Sequence, residues 1–248
     1  IEDTREYNVT TNLELGKVLT PKKWNIQIPM NYSISEQFVD PKYDPGYQDI
    51  TVEDALESGS DVIKANSINS REYTRRESLS FINVKKNRNT ESKKKPKFYD
   101  VENVSASYSF SEEYHRDYSI AKYLEQNLNA GLSYNFNFAP LNIEPFKNSK
   151  ILKSKYWKFI RDININPMPN VFAVNSKVNR GYNEQESRTL IEGFSDQPLL
   201  VQRNFLFDWD YTIGFDLTKS IQLNFNATNN YIYDSNGTDE DLQIFDKV

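Results

Sequence analysis

His115 is the only histidine in the 248 residues, and cysteine is absent. A hydroxyl nucleophile assisted by an imidazole would have to use His115. It stands in the charged stretch Glu112-Glu113-Tyr114-His115-Arg116-Asp117, which reads as a loop or rim. A zinc site lacks its usual ligands. Asp208 and Asp210 are two apart on a strand and so share a face. A glycosidase would also need a cleft and a suitably spaced partner, so the pair reads as a wet acidic patch. Asp234-Ser235-Asn236-Gly237-Thr238-Asp239-Glu240-Asp241 supplies calcium-friendly oxygens without the twelve-residue loop pattern, and reads as a solvated loop. Lys85, Lys86, Arg88, Lys93, Lys94, Lys95 and Lys97 form a basic run that suits a mobile loop, with lipid phosphates or an acidic partner as alternative contacts. Sequons such as Asn103-Val104-Ser105 follow from alternation of Asn with Ser and Thr, and no glycosylation is assigned. These residues point to no catalytic cluster, no metal and no cofactor, so the chain is not expected to be an enzyme.

The composition narrows the class further. Hydrophobic residues make up 38% and mean hydropathy is −0.73, which is poor for a soluble core of this size. Yet aromatics reach 14%, which separates the chain from disordered sequences. A net charge of −5 gives no support for a nucleic-acid partner. No apolar run approaches the roughly 20 residues of a transmembrane helix. The chain starts Ile1-Glu2-Asp3-Thr4-Arg5 without an initiator Met, which reads as an excised or processed segment.

The elements that hold these residues are strands. Over Trp24–Ser35 every even position is apolar (Trp24, Ile26, Ile28, Met30, Tyr32, Ile34), and the odd positions are polar or proline. Period two puts one oily and one wet side on a strand. The pattern returns at Tyr7–Leu15, Val104–Ser111, Leu128–Phe138, Phe205–Leu217 and Ile221–Tyr233, and more weakly at Tyr73–Val84 and Val171–Arg180. Eight or nine strands are expected. Thr218-Lys219-Ser220 is a tight connection, so its flanking strands should be antiparallel neighbours. Gly16–Lys23 is also short, whereas residues 36–71 read as a long polar loop. Residues 141–162 read as an irregular insertion, in which Tyr156, Trp157, Phe159 and Ile160 suit a short helix or interfacial anchor.

Several strands reach ten residues or more, beyond the soluble average of about five or six and sufficient for a tilted membrane strand. The oily sides are rich in large aromatics and poor in charge along their middles. The wet sides carry Asn, Ser, Thr and Gln rather than Lys and Glu. The expected fold is therefore all-β: residues 1–248 form one segment of an antiparallel transmembrane β-barrel wall, part of a very large barrel. Asn25, Gln27, Asn31, Ser105, Ser107, Ser109, Asn129, Ser133, Asn135, Asn137, Asp208, Asp210, Thr212, Asn224 and Asn226 would line the lumen. Trp24, Ile26, Ile28, Tyr134, Phe136, Phe207, Trp209, Phe215, Leu223 and Phe225 would face lipid. The alternative is a soluble β-sandwich acting as a surface binding or adhesion module.

Particular stretches carry a family resemblance. Lys97-Phe98-Tyr99-Asp100-Val101-Glu102-Asn103, the aromatic strand after it, and Ser111-Glu112-Glu113-Tyr114-His115-Arg116-Asp117-Tyr118 resemble the SprA/Sov family. So do Arg180-Gly181-Tyr182-Asn183-Glu184-Gln185 and Phe205–Tyr211 with Leu217-Thr218-Lys219-Ser220. The resemblance runs from about Tyr73 onward and more loosely over Asp40–Asp44. It implies the outer-membrane translocon of the type IX secretion system, a conduit for folded proteins that is tied to gliding motility. It implies a Gram-negative outer membrane as the location. Its implied partners are the remainder of the same barrel, a smaller cargo-binding barrel, a plug protein, periplasmic components, secreted cargo and membrane lipid.

Overall fold

The computed structural model describes residues 2–47, 49–59, 61–89, 95–147, 156, 160, 164–189, 197–218 and 220–238. Nine strands form one antiparallel sheet: β1 (Glu2–Glu14), β2 (Ile26–Gln27), β3 (Pro29–Pro41), β4 (Glu72–Lys86), β5 (Val104–Arg116), β6 (Ile120–Asn137), β7 (Val171–Ser187), β8 (Leu200–Asp216) and β9 (Gln222–Thr238). The order β1-β3-β4-β5-β6-β7-β8-β9 follows the chain, and β2 adds to β4. Apart from the two-residue β2, each strand pairs with the next long strand along the chain, the arrangement that the shortest connections favour. The sheet is open, with β1 and β9 at its edges.

Register aligns the alternation across the whole sheet. Leu13, Met30, Phe81, Tyr108, Ala130, Val178, Phe207 and Tyr231 form one cross-strand row. The adjacent row on the other face is Asn12, Asn31, Ser80, Ser109, Asn129 and Asn179, followed by Leu206 and Ile232. One irregularity explains why the alternation of β4 is weak in the sequence. Phe81 pairs with Tyr108 and Val84 with Ala106, which leaves Ile82 and Asn83 opposite Ser107. Asn83 takes φ 60° and donates its N–H to Ser107 Oγ at 2.9 Å. Such a bulge adds a residue and resets the parity, so Val84 returns to the oily face.

The structure corrects several boundaries. Trp24–Ser35 is not one strand. Lys22–Trp24 form a 3-10 turn, Asn25 is left-handed at φ 50°, and β3 begins at Pro29. Proline has no N–H for a ladder and sits best at the first position of a strand. Trp24 and Asn25 therefore lie on neither strand face. Gly16, in the helix α1 (Leu15–Leu19), makes this turn possible, because a Cβ there would meet the Ile26 carbonyl oxygen at 2.1 Å. His115 is not in a loop: Glu112–Arg116 belong to β5, and the turn to β6 is residues 117–119. The long connection starts at Lys42, because β3 runs to Pro41, and it contains α2 (Val52–Ser58) and α3 (Asp61–Ile68). The Thr51 hydroxyl caps α2 by accepting the Asp54 N–H at 3.1 Å. Short and long connections do not segregate by end: 15–28, 87–103, 138–170 and 217–221 share one end, and 42–71, 117–119 and 188–199 the other.

The sheet has no dry centre. Among the described residues, the buried hydrophobics are Ala55, Phe136 and Val201. Nor do the described residues supply a second sheet, so they do not form the β-sandwich of the alternative reading.

Candidate functional site: a two-faced sheet

The candidate site is the pair of sheet faces. Gln27, Asn31, Ser105, Ser107, Ser109, Asn129, Ser133, Asn135, Asn137, Asp208, Asp210, Thr212, Asn224 and Asn226 all share one face, by register. Their side chains bond laterally. The Ser33 and Ser78 hydroxyls meet at 2.8 Å, Asn175 donates to Asp210 at 2.8 Å, and Asn87 donates to Gln27 at 3.2 Å. Arg76 pairs with Glu113 at 3.0 Å. A hollow of about 470 Å³ opens on this face, lined by Asn8, Thr10, Ser33, Ser78, Ser111 and Asn127 among others. Those residues come from five adjacent strands, β1 and β3 to β6.

Ile26, Tyr134, Phe136, Phe207, Trp209, Phe215, Leu223 and Phe225 share the opposite face. Ile28 lies between β2 and β3, where its N–H donates to the Glu14 carboxylate at 2.6 Å. Leu132, Leu223, Phe225 and Tyr231 are each more than half exposed. Rings contact along the surface, as in Phe207–Trp209 at 5.0 Å and Tyr134–Phe172 at 5.8 Å between centroids.

Sequence reasoning missed a charged layer on this same oily face. The row Leu79, Phe110, Leu128, Arg180, Phe205 is followed by Glu77, Glu112, Gln126, Tyr182, Arg203. Beyond it lie Glu36, Arg75, Tyr114, Leu124 and Glu184. Many of the polar groups here are partnered: the Tyr32 hydroxyl donates to Glu77 at 2.9 Å, Tyr73 to Glu36 at 2.9 Å, Gln126 to Glu112 at 2.7 Å and Lys122 to Glu184 at 2.7 Å. The signal was present in Tyr73-x-Arg75-x-Glu77 and Arg180-x-Tyr182-x-Glu184, where charged residues continue the oily parity.

The chemistry-bearing groups that the structure describes lie apart from one another. His115 Nδ1 lies 2.8 Å from the Thr74 hydroxyl, and Nε2 lies 3.4 Å from Asp117. This resembles a hydroxyl–imidazole–carboxylate series, but Thr74 is buried and its hydroxyl cannot meet a substrate. Burial alone would raise the Asp117 carboxyl. The N–H groups of Ile120 and Ser119 and the Ser119 hydroxyl outweigh it and hold the group below its ordinary value. The basic run is partly neutralised by the acids that follow it: Lys86 lies 3.6 Å from Glu102, and Arg88 lies 3.5 Å from Glu102 and 3.9 Å from Asp100. Lys93 and Lys94 lie outside the described residues, as do Trp157, Phe159 and Asp239–Asp241 of the calcium-friendly segment. Asp234–Thr238 are strand rather than loop. Among the described residues, no three His, Cys, Asp or Glu side chains gather as a metal would require.

Residues 1–56 match the SprA_N family model, described as motility related/secretion protein. The matched segment is similar to that family. It spans β1 through most of α2. The match thus supports the SprA/Sov resemblance from a different part of the chain, meeting the stretches that first suggested it only at Asp40–Asp44. No curated protein matches the chain.

Proposed function

We propose that this chain is part of the wall of an outer-membrane channel that exports folded proteins in type IX secretion. The carrying observation is the single-layer sheet with large apolar side chains exposed across one face. Leaving a large apolar side chain in water rather than buried costs about 1.5–3 kcal/mol, and a contiguous patch of this kind marks an interaction surface. Hydrocarbon covers such a face without a second protein layer. The polar side, built of amides and hydroxyls, then bounds a water-filled passage that offers cargo few sticky contacts.

The edges support the same reading. β1 and β9 are long, and among the described residues each is paired on one side only. An unpaired backbone group in lipid costs several kcal/mol, so further strands continue the wall on both edges. The partners in this reading are those strands, a smaller cargo-binding barrel, a plug protein, periplasmic components, secreted cargo and lipid. The role is conduit rather than enzyme. The SprA_N match, with its secretion and motility description, is what links the wall to this system. Membrane fractionation tests it: the full-length protein should sediment with outer membrane and require detergent for extraction. Extraction by carbonate or salt alone would overturn the reading.

A further inference from the structure

We propose that Arg180 and Arg203 form a clamp for the phosphate of an anionic lipid headgroup, an inference that rests on the lipid-facing reading of the oily face. Arg180 pairs across with Leu128 on β6 and Phe205 on β8. Arg203 pairs with Tyr182 on β7 and Ser235 on β9. The two arginines are therefore diagonal neighbours on adjacent strands, within reach of one ligand.

Among the described residues, both cations lack an anion. Arg75 and Lys122 on this face have carboxylate partners, Glu77 and Glu184, the latter at 2.7 Å, whereas Arg116 lies over the Tyr73 ring at 5.8 Å. Among the described residues, neither Arg180 nor Arg203 has a carboxylate partner. Glu184, on the strand beside Arg203, is already bonded by Lys122 and by the Tyr182 hydroxyl at 2.8 Å. Arg203 lies over the Tyr182 ring at 5.6 Å, and its Nε is buried without a hydrogen-bond partner. Arg180 is exposed beside Leu128 and Phe205.

Position decides the ligand. The pair stands where the oily rows end and the charged rows begin. An unpaired arginine is tolerated on a lipid-facing surface only near the interface. A guanidinium fork matches the geometry of a phosphate and binds it in a bidentate manner. Acyl chains from a phosphate held there would lie along Val178, Phe205 and Phe207, on the same face. A headgroup whose phosphate has no cation of its own suits two unpaired guanidinium groups better than a zwitterionic one.

These 248 residues have no cysteine, so Val178→Cys gives a local site for a bimane label in a full-length protein in which any cysteine elsewhere is replaced by serine. The labelled protein is reconstituted in zwitterionic vesicles containing a minor fraction of brominated lipid, either phosphatidylglycerol or phosphatidylcholine. Brominated phosphatidylglycerol should quench the label more strongly. In Arg180→Gln/Arg203→Gln that preference should be lost, with quenching by phosphatidylcholine unchanged. Equal quenching by both lipids in the otherwise wild-type protein overturns the clamp and leaves the lipid-facing reading intact. Quenching by neither overturns the lipid-facing reading itself.

Discussion

The Lys122 ammonium lies 2.7 Å from a Glu184 carboxylate oxygen across the β6–β7 seam, on the face that further along the same strands carries Leu132, Tyr134 and Phe136. A paired charge and an apolar field thus occupy different heights of one surface. Under the proposed function, that sets the apolar rows at hydrocarbon depth and the Lys122–Glu184 layer outside it.

Leu132 and Ser133 are adjacent on β6 and point to opposite faces. Leu132 is 54% exposed and lies in the middle of the apolar stretch of β6. Leu132→Arg should cost about 2–4 kcal/mol of folded barrel at the membrane midplane, whereas Ser133→Arg should assemble normally. Heat-modifiable mobility of outer-membrane fractions reads the difference. Equal losses for both would remove the facing assignment. Phe215, at the end of β8 beside the tight turn, is a weaker site for the same test.

Asp117 organises the β5–β6 turn by accepting the N–H groups of Ser119 at 2.7 Å and Ile120 at 2.6 Å. Its carboxyl is held low in the folded state, so the unfolded chain takes up the proton first as pH falls. The stabilisation is therefore present above the unfolded carboxylate value of about 3.9 and is lost as pH drops through the lower folded value. Asp117→Ala should cost about 1–2 kcal/mol at neutral pH, with the gap to wild type closing in acid. Urea unfolding in vesicles, followed by tryptophan fluorescence, measures it; a gap that does not change with pH would remove the ionic part of the argument.

Asp44 is fully buried and accepts the N–H groups of Gly46 at 2.8 Å and Tyr47 at 3.1 Å and the Ser67 hydroxyl. Asp44→Ala orphans these donors, at roughly 1–3 kcal/mol for a buried group. The loss is local. Limited proteolysis should cut within 42–71 much faster in the variant while the strands stay intact. Cleavage at the wild-type rate would show that the helices hold the connection without Asp44.

Backbone N–H groups on the outer edges of β1 and β9 have no partner within this sheet. In the full-length protein they should exchange with deuterium as slowly as those of β5 and β6, because neighbouring strands would cover them. Rapid exchange along either edge would place that edge in water and break the continuous wall.

Period two is local, so the strands and the division into oily and wet sides were legible from the residues. Asn129, Ser133, Asp208 and Asn224 were assigned together before any pairing was known, and the register puts them on one face. Three features needed the tertiary structure. The bulge at Ile82 and Asn83 is visible only against Ser107, because it consists of two residues facing one. His115 read as part of a rim, because a charged run looks like a loop until Thr74 and Tyr123 are found beside it. Charged residues continue the oily parity within single strands, but that they form one layer is decided by the register, which lines up Glu77, Glu112, Gln126, Tyr182 and Arg203 from five strands. Side-chain alternation is written along each strand, but height across a sheet depends on how strands slide against one another, and only their hydrogen-bonded pairing decides that.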